Sequence, residues 1–224
     1  MVDIFVGRKK RVFRFHKSIL CSKIDYFKSM FSCDSKEVIQ STASFPEDSN
    51  EAFEVMFEWV YTGSLPTLDG NPERSVGGSH ISAWDTVATY KLVNKLRCIP
   101  FMDAVMSKCI KNHRSHSTFP SMKAIGKIYD QLPQGAIYRN YASMTLHYLI
   151  SEYRSNEVMK HWPTSELHKL LLAKPDLALD LLKLTRGQEP GQHVKDPNKS
   201  PICTFHVHGV DDPCKDCEWM YTGK

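Results

Sequence analysis

Residues 2–20 read VDIFVGRKKRVFRFHKSIL, and the organisation of the whole chain follows from them. Val2, Ile4 and Val6 alternate with Asp3 and Phe5. Phe13 and Phe15 alternate with Arg14 and His16, and Gly7 to Arg11 stand between the two runs. A period of two is that of a strand with one buried face, so the stretch predicts a two-stranded hairpin with a basic turn. Directly after it, Leu20, Ile24, Phe27 and Phe31 recur at helical spacing, with Ser18 and Ser22 where N-caps would stand, predicting two short helices. A short apolar stretch, Ala43 to Phe45, ends at Pro46. Asp48, with Glu51 three residues on, has the form of a capping box. In the helix it would open, Phe53, Met56, Phe57, Val60 and Tyr61 form one stripe, Val55 and Trp59 lie on another side, and Gly63 is placed to end it. A helix apolar on two sides needs two partners.

Outward from this unit the pattern becomes helical. SLPTLDGNPERSVGGSH, from Ser64, is a loop by composition, and Trp84, Ala88, Leu92 and Leu96 then fall four apart. Pro100 suits the first turn of a second helix carrying Phe101, Val105 and Cys109, which closes the unit near Asn112. HRSHSTFP reads as a short polar break. Four amphipathic helices are predicted after it, around Ile125–Leu132, Ile137–Leu149, Leu167–Leu171 and Leu177–Leu184, and they must bury their stripes against one another or against the first unit. Residues 187–201 have linker composition, and 202–224 form a separate Cys/His tail.

Over its first part the chain resembles the BTB/POZ domain. The resemblance rests on an Asp in the first strand, then FRFHKSILCS, YFKSMF, FPED and AFEVMFEWVYTG, each at that family's spacing, and it continues into the helical pair from Trp84. It implies an α+β fold, a small sheet with a cluster of helices, over residues 1–112, followed here by an all-α extension (113–186), the linker and the tail. The whole is similar to the short BTB proteins of filamentous fungi. The resemblance also implies a non-catalytic protein–protein interaction module that associates with itself and presents a surface to partners. Asp3 and Lys17 match the positions of a charged pocket near the family's dimer face, with His16 beside them, and Ile19, Ile24 and Phe27 mark the self-association surface. That association is expected to be weak, because no element precedes Met1 to be exchanged between copies. Family members that recruit substrates to a cullin ubiquitin ligase carry a large apolar residue, any residue, then Glu after the second helix. Here the loop reads Ser35-Lys36-Glu37, so the acid is present and the apolar anchor is not.

The totals fit a globular, non-enzymatic reading. With 224 residues and 42% hydrophobic content the chain can bury a substantial core. The charge of +4, from 29 basic and 25 acidic residues, is too small an excess to suggest a nucleic-acid-binding domain. No apolar run is long enough to span a membrane, and a strand beginning at Val2 leaves no room for a signal peptide, so a cytoplasmic or nuclear protein is expected. Seven cysteines without framework spacing fit reduced thiols. No phosphate loop, nucleophile elbow or zinc-protease helix occurs, and no nucleophile, base and orienting group stand together.

The tail is the one place where metal chemistry is legible. Cys203-x-x-His206 and Cys214-x-x-Cys217 are ligand pairs at the spacing that lets one tight turn reach a common ion, and seven residues separate them. His208 competes with His206 as a ligand. Few apolar residues are available there, so order would be expected to come from one bound zinc ion. The alternative function this suggests is a zinc-dependent transcription or nucleic-acid-associated regulator, which would need a clustered basic face that the sequence lacks.

Overall fold

The computed structural model describes residues 1–32, 41–68, 84–152 and 160–209. The chain forms two compact units, residues 1–112 together with 207–209, and residues 113–206.

In the first unit the expected hairpin is β1 (Val2–Val6) and β2 (Arg11–Phe15), paired antiparallel with Asp3 opposite Arg14 and Phe5 opposite Val12. Its turn uses positive φ at Gly7 (69°) and Lys10 (51°). The Ala43–Phe45 stretch becomes β3 (Thr42–Phe45), which joins β1 in parallel, giving a sheet ordered β2-β1-β3 among the described residues. The alternation has the predicted effect. Val2, Ile4, Val6, Phe13, Phe15 and Phe45 are buried on one face, while Val12, Arg14 and Ser44 face outward.

Helices α1 (Lys17–Lys23) and α2 (Asp25–Met30) follow as expected, but without the serine caps: His16 and Ile24 occupy the N-cap positions, and the Ser22 hydroxyl donates to the Ile19 carbonyl. α3 (Asn50–Thr62) ends at Gly63 with φ 72° and is capped by Ser49, whose hydroxyl accepts from Ala52 N. The capping-box reading is thereby corrected. Asp48 instead receives Lys95 at 2.7 Å, with only 5% of its side chain exposed, because a long-range cation competes successfully for the carboxylate. The two-sided apolar character of α3 is used in full. Phe53 meets Phe13 and Phe45 (ring centroids 5.7 and 5.2 Å), while Trp59 stacks on Phe101 at 4.5 Å. Phe101 belongs to α5 (Ile99–His116), which follows α4 (Thr86–Lys95).

The polar break predicted at 113 is not one. α5 runs on to His116, and burial explains why: His113 stacks on Tyr141 and its Nδ1 lies 2.9 Å from the Tyr141 hydroxyl. The second unit is built on α6 (Met122–Gln131), α7 (Ile137–Ser151), α8 (Thr164–Ala173) and α9 (Pro175–Gly187). Arg139 of α7 ties three of these helices together. It donates to the Tyr129 carbonyl (2.7 Å), lies over the Tyr129 ring (4.7 Å) and pairs with Asp176 (3.1 Å). Burial of the stripes is uneven, however: α9 buries Leu177 and Leu181, whereas α8 has no buried residue and leaves Leu172 70% exposed.

Residues 187–206 are more ordered than linker composition suggests. Glu152 receives His193 and the Val194 amide (both 3.0 Å), Asn198 accepts the Tyr141 hydroxyl proton (2.9 Å), and Arg114 donates to the Ser200 carbonyl. A 3-10 turn, Ile202–Phe205, then buries Phe205 completely, edge-on to Tyr141 at 5.0 Å. A buried ring and side-chain hydrogen bonds thus hold the described part of this stretch.

Candidate functional site

Two surfaces gather the residues that the sequence singled out. The first lies at the hairpin and α1. The cross-strand register sets Asp3 directly opposite Arg14, and the guanidinium binds the carboxylate through two bonds of 2.7 and 2.8 Å. The hydrogen bonds and charge of Arg14 hold the Asp3 carboxyl below its usual range. The Asp3 carboxylate is thus paired with its antiparallel neighbour Arg14. Lys17 lies over the Phe31 ring at 5.9 Å. His16 and Lys17, with Met1, Ser18, Cys21 and Ser32, line an open cleft of about 530 Å³. His16 is fixed there by Tyr61, whose hydroxyl accepts the His16 amide (2.9 Å) and lies 3.0 Å from Nδ1.

Of the three apolar residues expected at the self-association surface, only Ile19 is partly exposed. Ile24 (1% exposed) and Phe27 (0%) belong to the core of the unit, since helical spacing selects the buried stripe and not the outer one. Ser35 and Glu37 lie outside the described residues. In the cleft, burial raises the Cys21 pKa and Lys17 only partly offsets it. Cys98 is pushed up to about 11, chiefly by burial. Thiols held protonated are poor nucleophiles.

The second surface is the Cys/His turn. Within the continuous stretch 203–208, one ligand atom each from Cys203, His206 and His208 lies within 4.8 Å of the others. His208 Nδ1 is 2.7 Å from the Gly209 carbonyl, an arrangement that leaves Nε2 as the lone-pair nitrogen a metal needs. A soft sulfur with two imidazoles suits zinc, with a fourth ligand still required. Cys214 and Cys217 lie outside the described residues. Cys21, Cys98 and Cys109 form no disulfide, but Cys203 is disulfide-bonded, against the expectation of reduced thiols throughout. In that form its sulfur is no thiolate, so metal binding and this disulfide exclude one another.

One residue that sequence reasoning missed supports this turn. Asp103 of α5 is 7% exposed and accepts from the Val207 amide (2.7 Å) and the His208 amide (3.3 Å). A carboxylate inside the apolar run FMDAVM was the available signal, because a buried acid needs donors.

Comparison with known proteins bears on the first surface. Residues 1–78 match the family model of the BTB/POZ domain. A human protein, Kelch repeat and BTB domain-containing protein 6, is 32% identical over 69 residues, which cover 31% of this chain and 10% of that protein. The chain thus spans about a tenth of the length of that relative. Among the described residues no helix is long and apolar enough to cross a membrane.

Proposed function

We propose that this chain, which carries a BTB/POZ domain in its first 78 residues, is a non-catalytic adaptor that associates with itself and presents a surface to partner proteins within the cytoplasm or nucleus. The observation that carries the reading is the coincidence of that family match with a buried core shared by the sheet and its helices among the described residues. The domain continues through α4 and α5 to Asn112, because Trp59 needs Phe101 to complete its burial. Self-association is weak, since only a half-buried Ile19 presents apolar area on the α1 surface. Sedimentation equilibrium over nanomolar to millimolar concentration tests this. A concentration-dependent dimer that Ile19→Asp abolishes supports it, and a monomer throughout the range counts against it.

A cullin is a candidate partner of low affinity. Ser35 stands where an apolar anchor would fill a pocket, and burying such an anchor is worth on the order of 2 kcal/mol. Titration against a cullin N-terminal domain should therefore improve on Ser35→Met. Zinc is a candidate cofactor of the reduced tail, held by Cys203 and His206 or His208 with Cys214 and Cys217. About one zinc per chain under reducing conditions, lost on Cys214→Ser with Cys217→Ser, is the expected result.

A further inference from the structure

Among the described residues the outer edge of β2 is unpaired, and its flanking residues identify the kind of segment it would take. β2 is the terminal strand of the sheet. Asp3 N and Gly7 N donate to Ser41 and Phe45 carbonyls on the β3 side. By alternation, Val2, Ile4 and Val6 bond to Arg11, Phe13 and Phe15, and the N–H and C=O groups of Val12 and Arg14 point away from the sheet. Among the described residues nothing hydrogen-bonds these main-chain groups. Among the described residues the edge is closed at one end, where Tyr61 takes the outward amide of His16.

α3 runs beside this edge and leaves aromatic surface uncovered. Phe57 (38% exposed) and Tyr61 (37%) pack their rings on Phe15 at 5.1 and 6.3 Å and on each other at 4.7 Å. On the opposite face Val12 is 49% exposed. At the hairpin end stand Arg8, Lys9 and Lys10, all exposed, with no acidic partner among the described residues. The neighbouring cations are already matched, Arg11 by Glu54 and Arg14 by Asp3.

We infer that this edge is a docking site for an extended acidic segment of another protein, added to the sheet as a fourth strand. Resting on the interaction-module reading, it names the surface and the chemistry of the partner. The main chain of the incoming strand bonds Val12 and Arg14. Its alternate side chains are apolar where they lie over Phe57 and Tyr61, and Asp or Glu where they reach Arg8 to Lys10. A second copy of β2 is the wrong occupant, because it would bring another run of four cations, Arg8 to Arg11, to a basic edge.

Panning a displayed library of random twelve-residue peptides against the full chain tests this. The expected winners combine acidic and apolar residues, slow hydrogen exchange at the Val12 and Arg14 amides, and bind more weakly as salt is raised. Val12→Pro should lower affinity more than tenfold while leaving the fold intact, since proline is tolerated on an edge strand whose N–H faces solvent. Should that variant misfold, reversing Arg8, Lys9 and Lys10 to Glu, which alters only exposed turn residues, should also weaken binding more than tenfold. The inference is overturned if no peptide is selected, if winners lack acidic residues or protect other amides, or if both variants bind as well as the parent. It is equally overturned if Val12→Pro abolishes self-association, which would make a second copy the occupant. A chain that dimerises through Ile19 yet selects no edge-binding peptide would refute this inference and leave the interaction-module reading standing.

Discussion

Phe205→Ala separates two ways of ordering the C-terminal stretch. The ring is fully buried and meets Tyr141 edge-on at 5.0 Å, and Ile202 beside it is 8% exposed. Truncating a buried phenylalanine costs about 3–5 kcal/mol, including the cavity left behind. Because the segment lies after the last helix, it can detach without unfolding the helices, so the loss should appear as local opening and not as a global change. At about 1.4 kcal/mol per tenfold, amide exchange should accelerate by a hundredfold or more at Thr204 and His206. Their N–H groups bond to the Pro201 and Cys203 carbonyls at 3.0 and 3.2 Å. Exchange measured by mass spectrometry or NMR on the full chain reads this directly. If Phe205→Ala leaves the rates unchanged while a reductant or chelator releases the same amides, sulfur or metal chemistry holds the segment and the packing argument is wrong.

Three further outcomes are expected from other groups. Asp103→Ala removes the acceptor of two amides, worth about 1.5–3 kcal/mol for a charged acceptor, and should speed exchange at Val207 and His208 specifically. Burial lowers the His113 pKa to about 4, so between that value and its ordinary 6.5 the unfolded chain binds the extra proton. Stability should therefore rise with pH across that window, by roughly 3 kcal/mol in total; urea titrations from pH 4 to 7 should show a slope that His113→Phe abolishes. Gly63→Ala should cost about 1 kcal/mol, measured by thermal unfolding, since φ is +72° and nothing lies within 4 Å of the added methyl, leaving backbone strain as the whole effect.

The parts of the fold that were legible in the sequence are those whose cause is local. The hairpin was readable because a two-residue period and a glycine turn specify strand and face together, and α3 because its stripe and Gly63 specify extent. Where the cause was long-range, local reading chose the wrong partner. Asp48 looked like a cap but answers to Lys95. The same limit explains Ile24 and Phe27. Periodicity shows which residues share a stripe, but only the assembled unit shows that this stripe faces inward. The break expected at 113 failed for a related reason: His and Ser read as polar, yet His113 is carried into a buried contact by a tyrosine on another helix.

In the Cys/His turn, order precedes ligation. Glu152, Tyr141, Arg114 and Asp103 fix successive points between His193 and His208, and Phe205 anchors the middle of the turn. Four side chains and a buried ring thus hold the backbone alongside the Cys203 disulfide. A ligand set placed on such a backbone gives up little further chain entropy on binding, in contrast to a finger that folds only around its ion. Reducing Cys203 should therefore change which chemistry the turn performs without unfolding it. Reduced, the Cys203 sulfur would be a thiolate donor available together with His206 and His208, whose ligand atoms lie within 4.8 Å of it and of one another.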